Sequence, residues 1–385
     1  MKIALRGSRS YLLFTLILIV VSVSLLFWIK EQSVLERSFI LVIKVTYENR
    51  DNDVWFLKES DRTIGLFMNN SWQTAYLMSA SCSIERIDRD LDENPVALLD
   101  IKRMLLPGEK VSYEVAYRLV YDRRYLPPIS EAASGTLNDI PEDLKKKYCE
   151  STYLWQSNLS ALKDEVQKIV GAEKRVLTIL RLIIRWIASN ILYSPAEFPR
   201  YPNETFSLGL GDCDDQSNLL IAFCCLLGIP AYLQLGCIYS PYYNRTSRLW
   251  SERLLIRQVK VSWHGWAMVY IPPWGWLPVD PTCVSSLILR VDQLNAITSS
   301  AVIQHYTFQY MNIVVTDYIA ETRSLKKLVE PNEFYIYEES IMEEMRSQSY
   351  SQIKSLLIYD NYTRVITLQI SKLSDKRLNK PCFTN

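Results

Sequence analysis

The chain has 385 residues, of which 49% are hydrophobic and 22% are charged, and its formal net charge is +1. This length accommodates two modest domains and a tail, and the composition is that of an ordinary globular protein. The near-zero net charge argues against the strongly basic surface typical of nucleic-acid-binding proteins, so we predict no nucleic-acid partner.

The N-terminal segment is predicted to be a transmembrane anchor. Residues 11–29, YLLFTLILIVVSVSLLFWI, carry no charge and are long enough to cross a hydrocarbon layer about 30 Å thick. The alternative is a cleaved signal peptide with Ser22 and Ser24 near the cleavage site, but the apolar run continues beyond them. Basic residues before the span predict a cytoplasmic tail at residues 1–10 and a single-pass cell-membrane protein whose remaining chain is extracytoplasmic.

The asparagines and cysteines that follow this span agree with export. Five glycosylation sequons lie after it and none before it, as expected of an exported glycoprotein. They begin at Asn69, Asn158, Asn203, Asn244 and Asn361. The eight cysteines do not have the spacing of a zinc site, and some can pair outside the cell, although the sequence does not say which. We therefore predict neither a metal nor a cofactor.

Residues 38–126 are predicted to form a β-sandwich-like domain. The runs FILVIKVTYE and KVSYEVAYRLVY carry β-branched and aromatic residues in partial alternation, and LPGEK between such runs is typical of a turn. Residues 127–150 are more polar, with several prolines and charges, and are predicted to be a linker.

Residues 151–300 begin with helical patterns and end with strand patterns. The first helix is predicted to have Ser160 as its N-cap and to stop at Gly171. The next, KRVLTILRLIIRWIASNILY, is more apolar and so predicted to be buried. A third runs from about Asp212 to Leu227 and is closed by Gly228. Strand-like runs follow, and residues 301–385 form a C-terminal extension without a clear pattern.

Cys213 lies in the first turn of that third helix. The free backbone N–H groups and the helix dipole there lower the pKa of a thiol. Three nearby carboxylates, those of Asp212, Asp214 and Asp215, oppose this because they disfavour a second negative charge. A reactive thiolate at Cys213 therefore needs a cationic partner, and histidine is the most plausible one.

The chain has only two histidines, and His264 has an acid within reach. His305 has no acid beside it, whereas His264 lies in an apparent hairpin whose second arm ends at Asp280. Facing residues in a hairpin have numbers that sum to a constant, so His264 and Asp280 point to one side only if the loop has an odd number of residues or a bulge intervenes. We predict an odd loop centred on Pro273, which would place Asp280 opposite Trp266.

These motifs resemble the transglutaminase-like superfamily, whose core is related to papain-like cysteine peptidases. The resemblance rests on GDCDDQSNLLIAFCCLLGIPAYLQLG, HGWAMVY and GWLPVDPT, with a similar lead-in before them, and covers about residues 155–285. It implies an α+β fold, with helices packed on an antiparallel sheet. It also implies a catalytic triad of Cys213, His264 and Asp280.

The activity implied by the resemblance is acyl transfer through a thioester to Cys213. Water as the second substrate makes the protein a peptidase or amidase, which we favour, and an amine makes it a cross-linking transglutaminase. A non-catalytic surface module on the same fold is the further alternative. Gly211, Trp266 and Trp276 are candidate substrate-binding residues, although tryptophans on a sheet are more often core residues. Cys224, three turns after Cys213, is predicted to be a core residue rather than a resolving thiol.

Overall fold

A computed structural model describes residues 37–122, 127–150, 152–155, 160–282 and 306–345. The predicted anchor at residues 11–29 and His305 lie outside these ranges. Within them, no helix combines the length and the apolar character needed to span a membrane.

Fifteen strands account for most of the regular structure in the described residues. In chain order they are β1 (Arg37–Asn49), β2 (Trp55–Phe56), β3 (Thr63–Gly65), β4 (Gln73–Ala80), β5 (Ile84–Arg89), β6 (Pro95–Leu99), β7 (Met104–Leu105), β8 (Lys110–Tyr121), β9 (Leu192–Tyr193), β10 (Leu210–Gly211), β11 (Ala231–Leu249), β12 (Leu254–Ile271), β13 (Gly275–Val279), β14 (Thr307–Ile313) and β15 (Phe334–Met345). The predicted strands around FILVIKVTYE and KVSYEVAYRLVY correspond to β1 and β8.

Six α-helices complete the described structure. They are α1 (Glu142–Cys149), α2 (Ser160–Val170), α3 (Val176–Asn190), α4 (Pro202–Leu208), α5 (Cys213–Leu226) and α6 (Tyr318–Val329). The predicted stop at Gly171 is confirmed, because Gly171 follows the last residue of α2 with a positive φ of 55°. Ser160 is the first helical residue of α2 and not the N-cap that its sequence position predicted. The helix predicted after Asp212 is α5.

One eight-stranded sheet joins the N-terminal and C-terminal strands. Its order is β14-β11-β12-β15-β1-β8-β4, and β13 pairs with β12 in addition. The pair of β12 with β15 is parallel, whereas β1 with β15 and β11 with β12 are antiparallel. Residues 307–345, which lacked a clear sequence pattern, therefore supply two strands of the central sheet and the helix α6.

Two apolar cores lie on this sheet. The helical core contains α2, α3 and α5 packed on β11, β12 and β13, with Ile183, Phe223 and Val269 among its fully buried members. The sheet core contains side chains of β1 and β8 together with the small sheet of β3, β5 and β6, and Phe39 and Tyr117 are fully buried in it. The fold is thus mixed α+β, and the predicted fold class is confirmed at this level.

Candidate active site

The helix α5 begins as the sequence predicts. Asp212 is its N-cap, and the Asp212 backbone N–H donates to Asp215 Oδ2 at 3.3 Å in a reciprocal capping box. Cys213 is consequently the first helical residue, where the backbone N–H groups have no intrahelical acceptor. The end of the helix also agrees with the prediction, because Leu227 is the C-cap and Gly228 has a φ of 74°.

A glycine lets the start of α5 approach β12. A Cβ atom on Gly265 would lie 3.0 Å from Asp214 Cβ, so a larger residue at that position would push the helix away from the strand. Ser217 lies one turn further along α5, and its hydroxyl is 3.4 Å from the Gly265 carbonyl oxygen and 2.7 Å from that of Cys213. Gly265, which follows His264, therefore allows the start of α5 to lie next to β12.

The hairpin of β12 and β13 has the predicted odd loop. Ile271 pairs with Gly275 and Ala267 pairs with Val279, so the three residues 272–274 form a loop centred on Pro273. Continued by one residue, this register puts Asp280 opposite Trp266, one diagonal step from His264. The predicted parity of this hairpin is confirmed.

His264 lies in a gap along one edge of β12. On this edge β15 pairs with Leu254–Val259, and β13 pairs with Ala267–Ile271. Between these two stretches, no strand of the described chain pairs with the edge. This gap leaves the imidazole accessible to the side chain at the start of α5 without a break in the pairing of β12 with β11, in which His264 faces Gly236.

Three side chains from separate elements meet at this gap. His264 Nε2 is 2.7 Å from Asp280 Oδ2, and Asp280 is fully buried. The His264 side chain also lies close enough to the Cys213 thiol for the two groups to shift each other's pKa, and Cys213 Sγ is 4.0 Å from Asp214 Oδ1. Because Nε2 faces Asp280, the other ring nitrogen, Nδ1, remains for the sulfur. The three predicted triad residues are therefore adjacent in the order thiol, imidazole and carboxylate.

Comparison with known families identifies the region that contains this site. Residues 163–281 match the model of the transglutaminase-like superfamily. Residues 163–281 form a transglutaminase-like domain. Comparison with curated protein sequences finds no relative.

Solved structures with a similar arrangement include two bacterial proteins. One is a candidate cysteine protease from Cytophaga hutchinsonii, which is 15% identical, has a TM-score of 0.48, and is matched over 81% of this chain and 90% of its own. Another is the periplasmic domain of TgpA from Pseudomonas aeruginosa, 13% identical with a TM-score of 0.32, matched over 64% of this chain and 91% of its own. The assignment of the transglutaminase-like domain rests on the family model and on the site geometry.

Thr282 is a residue of the transglutaminase-like site to which the sequence assigned no role. Its backbone N–H and its hydroxyl donate to Asp280 Oδ1 at 2.9 and 2.6 Å, while the other oxygen, Oδ2, faces His264. Both carboxylate oxygens are thus engaged, and the orientation of Asp280 is determined. A threonine two residues after an aspartate is a known local turn pattern, so this contact was detectable in the sequence.

Burial and neighbouring charges together shift the pKa values of Cys213, His264 and Asp280. Burial raises the pKa of the Cys213 thiol, the carboxylates of Asp214 and Asp212 raise it further, and His264 only partly offsets them. Burial alone would lower the pKa of His264, but Asp280 and Cys213 outweigh it and raise the pKa well above 6.5. For Asp280, burial is outweighed by the bonds to His264 and Thr282, so the pKa is lowered.

The aspartates around Cys213 in the transglutaminase-like domain have separate partners. Asp215 is fully buried and accepts from Arg200, from its backbone N–H at 2.6 Å and its guanidinium at 2.7 Å. Burial and the Asp214 charge still raise the pKa of Asp215 to about 6. Burial and the charges of Asp214 and Asp215 raise the pKa of Asp212 to about 9.

A tyrosine of the C-terminal segment also reaches the start of α5. The Tyr318 hydroxyl donates to Asp214 Oδ2 at 2.7 Å and accepts from Asn218 Nδ2 at 2.7 Å. Tyr318 is the first residue of α6, about 100 positions after Asp214, and no local motif links the two. Sequence reasoning therefore missed this contact, and only the folded chain reveals it.

The candidate substrate-binding residues have different surroundings. Gly211 is buried in β10, where a Cβ atom would lie 2.9 Å from both Asp215 Cβ and Thr205 Cγ2, so close packing explains the glycine. Trp266 is fully buried and donates to Gln234 Oε1 at 3.1 Å, a position that suits support behind His264 better than substrate contact. Trp276 is half-buried against Tyr148, with ring centres 4.8 Å apart.

Two further features of α5 are the position of Cys224 and a group of possible metal ligands at the start of the helix. Cys224 is fully buried in the helical core, as predicted. The ligand atoms of Asp212, Cys213 and Asp214 lie within 4.8 Å of one another. This acidic group contains no histidine, and its members have the proton and hydrogen-bond roles described above.

Proposed function

We propose that the protein is a membrane-anchored, extracytoplasmic thiol enzyme that cleaves peptide or side-chain amides through Cys213, His264 and Asp280. The observation that carries this proposal is the 2.7 Å contact between His264 Nε2 and the buried Asp280 carboxylate, with the Cys213 thiol beside the same imidazole. A nucleophile, a base and a group that orients the base are the minimum set for covalent acyl transfer.

In the proposed reaction, the Cys213 sulfur attacks the carbonyl carbon of a carboxamide while His264 Nδ1 accepts the thiol proton. The backbone N–H of Cys213, at the start of α5, is the candidate donor to the resulting oxyanion. Collapse of the tetrahedral intermediate breaks the C–N bond, and the imidazolium protonates the departing amine. The thioester remains on Cys213 until a second nucleophile attacks it.

Water is the second nucleophile that we favour. His264, now unprotonated, would take a proton from water, and hydrolysis would release the carboxylic acid and restore the thiol. An amine in place of water would give a cross-link between two chains. We favour hydrolysis because the sequence contains no sign of a dedicated amine channel.

The proposed location follows from the N-terminal sequence. Residues 11–29 would anchor the chain in the cell membrane, with residues 1–10 in the cytoplasm and the catalytic domain on the outer side. The side chains of Asn203 and Asn244 are exposed in the folded domain, which is compatible with modification of an exported chain.

One observation favours a second candidate, a non-catalytic binding module on the same fold. Burial and the two carboxylates of Asp214 and Asp212 raise the pKa of Cys213, whereas reactive cysteines usually have a lowered pKa. An unreactive thiol at this position would suit a protein that retains the fold only to bind a partner. The two candidates differ in the behaviour of Cys213 towards an electrophile.

The deciding experiment uses the full chain in detergent, as wild type, as Cys213→Ala and as Cys82→Ser. Cys82 is a half-buried thiol of the sheet core and serves as the matched control. Peptide and cell-wall amides would be screened for cleavage, and glutamine peptides for ammonia release with and without an added amine. We expect cleavage by wild type and Cys82→Ser and none by Cys213→Ala.

Labelling with iodoacetamide at pH 7 to 8 provides the second measurement. An enzyme would alkylate fastest at Cys213 among the six described cysteines, which are all free thiols. Equal or slower labelling at Cys213, together with no amide cleavage, would favour the binding module. Product that forms only with the added amine would favour cross-linking.

A further inference from the structure

Two cysteines outside the candidate active site lie in contact with each other. Cys149 is the last residue of α1, and Cys225 is the residue before the last of α5. The Cys225 S–H donates to the carbonyl oxygen of Tyr148, the residue before Cys149, at 3.2 Å, and the Cys149 side chain is close enough to raise the pKa of Cys225. Both residues are half-buried and both thiols are free. The contact therefore joins two helices that are far apart in the sequence.

The other cysteines of the described chain are less suited to this pairing. Cys224 adjoins Cys225 but is fully buried in the helical core, whereas Cys82 and Cys237 belong to the sheet core. Cys213 lies at the opposite end of α5, beside His264. A disulfide requires Cβ atoms about 3.5–4.5 Å apart. Because Cys225 Sγ already lies 3.2 Å from the backbone oxygen that immediately precedes Cys149, the two side chains need only a small adjustment to reach that geometry.

We propose that Cys149 and Cys225 form a disulfide when the protein is in an oxidising medium. The position of both residues at helix ends allows the required shift, because terminal turns adjust more easily than helix interiors. The bond would attach α1 to the helix that carries Cys213. The proposal concerns a different pair of thiols from the proposed active site and does not depend on the enzyme activity.

The reaction balances with a small-molecule disulfide as the oxidant. One thiolate of the pair attacks oxidised glutathione, which forms a mixed disulfide and releases one reduced glutathione. The second thiol then attacks the protein sulfur of that mixed disulfide and releases the other glutathione. Two protein thiols are oxidised and one glutathione disulfide is reduced to two thiols, with both protons accounted for.

The surroundings indicate which thiol meets the oxidant first. The Cys149 thiol and then burial raise the pKa of Cys225 well above 9, which makes Cys225 a poor attacking group. Once Cys149 is in a mixed disulfide with glutathione, its thiol no longer raises the pKa of Cys225. The Cys225 S–H is in addition held by the Tyr148 carbonyl oxygen at 3.2 Å, so we assign Cys149 the first step and Cys225 the second.

The bond would have a structural consequence for the segment before α2. Tyr148 packs on Trp276 of β13 and on Tyr232 of β11, with ring centres 4.8 and 5.7 Å apart. A disulfide at the next residue would hold these contacts and close a loop of about 75 residues. Such a closure restricts the unfolded chain, and we expect the melting temperature to rise by roughly 5 to 15 °C.

The test uses the full chain in detergent, kept either in dithiothreitol or in excess oxidised glutathione. Free thiols are blocked with iodoacetamide, and the protein is digested without reduction for mass spectrometry. We expect a cross-linked peptide that contains Cys149 and Cys225 in the oxidised sample only. The melting temperature should rise on oxidation in the wild type and in Cys82→Ser, but not in Cys149→Ser or Cys225→Ser.

The peptide mapping needs no variant and therefore remains decisive if a substitution impairs folding. Repetition in Cys213→Ala removes exchange with the proposed nucleophile. The proposal is overturned if Cys149 and Cys225 are both alkylated after oxidation, if Cys149 retains glutathione, or if Cys149 is joined to Cys224 instead. Loss of amide cleavage in the earlier experiment would leave this result unaffected.

Discussion

The two halves of α5 are buried to the same extent but against different chemistry. In the first half Asp215, Gln216, Ser217 and Asn218 are all fully buried, and in the second half the buried run Leu219–Cys224 is entirely apolar. Buried polar groups lose water and need a partner for each donor and acceptor, whereas buried apolar groups need only close packing. The first half can therefore fold correctly only if several other segments are in place.

Each polar residue of the first half contacts a different segment. Asp215 pairs with Arg200 before α4, and Gln216 Nε2 donates to the Gly211 carbonyl at 3.0 Å. Ser217 approaches Gly265 on β12, and Asn218 bonds to Tyr318 on α6. These contacts of the first half of α5 thus fix the position of Cys213 relative to the elements that surround the site. The apolar half supplies stability without determining those positions.

The largest expected effect is a loss of activity from a substitution in the candidate active site, next to the polar half of α5. Asp280→Asn should lower kcat/KM by about 10³- to 10⁴-fold, because the amide no longer holds the imidazole in the required orientation and charge state. That loss corresponds to roughly 4–5.5 kcal/mol of transition-state stabilisation. The measurement is steady-state cleavage of the substrate found in the amide screen. Asp88→Asn, on an exposed carboxylate, is the control, and equal rates in both variants would contradict the assigned role.

The next largest effect is a loss of stability from a substitution in the apolar half of α5. Phe223 is fully buried in the helical core and makes an edge contact with Trp186, with ring centres 5.6 Å apart. Phe223→Ala should lower the free energy of unfolding by about 3–5 kcal/mol because it leaves a cavity. Chemical denaturation measures this, with Leu208→Ala on an exposed side chain as the control. A change of more than threefold in Cys213 alkylation of the folded variant would show that the two halves are not separable.

A smaller effect tests whether the polar half also contributes to stability. Tyr318→Phe removes the hydroxyl that donates to Asp214 and accepts from Asn218, and leaves both without this partner. We expect the free energy of unfolding to fall by about 1–3 kcal/mol. Tyr242→Phe, whose side chain is almost fully exposed, should have no effect. Equal stability of both variants would mean that water replaces the lost bonds without cost.

The smallest expected effect is a shift in the pKa of Cys213 when the charge of Asp214 is removed. Asp214 raises the pKa of Cys213, so Asp214→Asn should lower it and increase thiolate at a given pH. The acid limb of the Cys213 alkylation rate should then move to lower pH by roughly 0.5–1 unit. In the wild type this limb should lie above pH 9, because burial raises the pKa of Cys213 above that value despite the opposing effect of His264.

Mass spectrometry of alkylated Cys213 across pH 5–10 would measure this shift, with Asp88→Asn as the control. An acid limb that stays in place or moves to higher pH would contradict the assigned effect of Asp214. Because asparagine retains an acceptor for the Tyr318 hydroxyl, stability should change less than in Tyr318→Phe.

The local features of the site were predictable from the sequence. Asp212 as a cap, Gly228 as the helix end and the odd loop at Pro273 follow from neighbours within a few positions. The contacts of Tyr318 and Arg200 were not predictable in the same way, because a hydrogen bond across 100 residues leaves no periodic or local trace. The sequence indicates two strand-like runs, LIRQVKVSW and GWAMVYI, on either side of His264, whereas the structure has one continuous strand, β12.

The sequence by itself determined the identity and order of the thiol, imidazole and carboxylate, together with the helix and hairpin that carry them, since these depend on short-range backbone preferences. Tertiary structure alone decided that the strands of residues 307–345 complete the central sheet, that Tyr318 bonds to Asp214, and that Cys149 meets Cys225. Such pairings depend on which distant surfaces can be buried together, and that is a property of the whole packed chain.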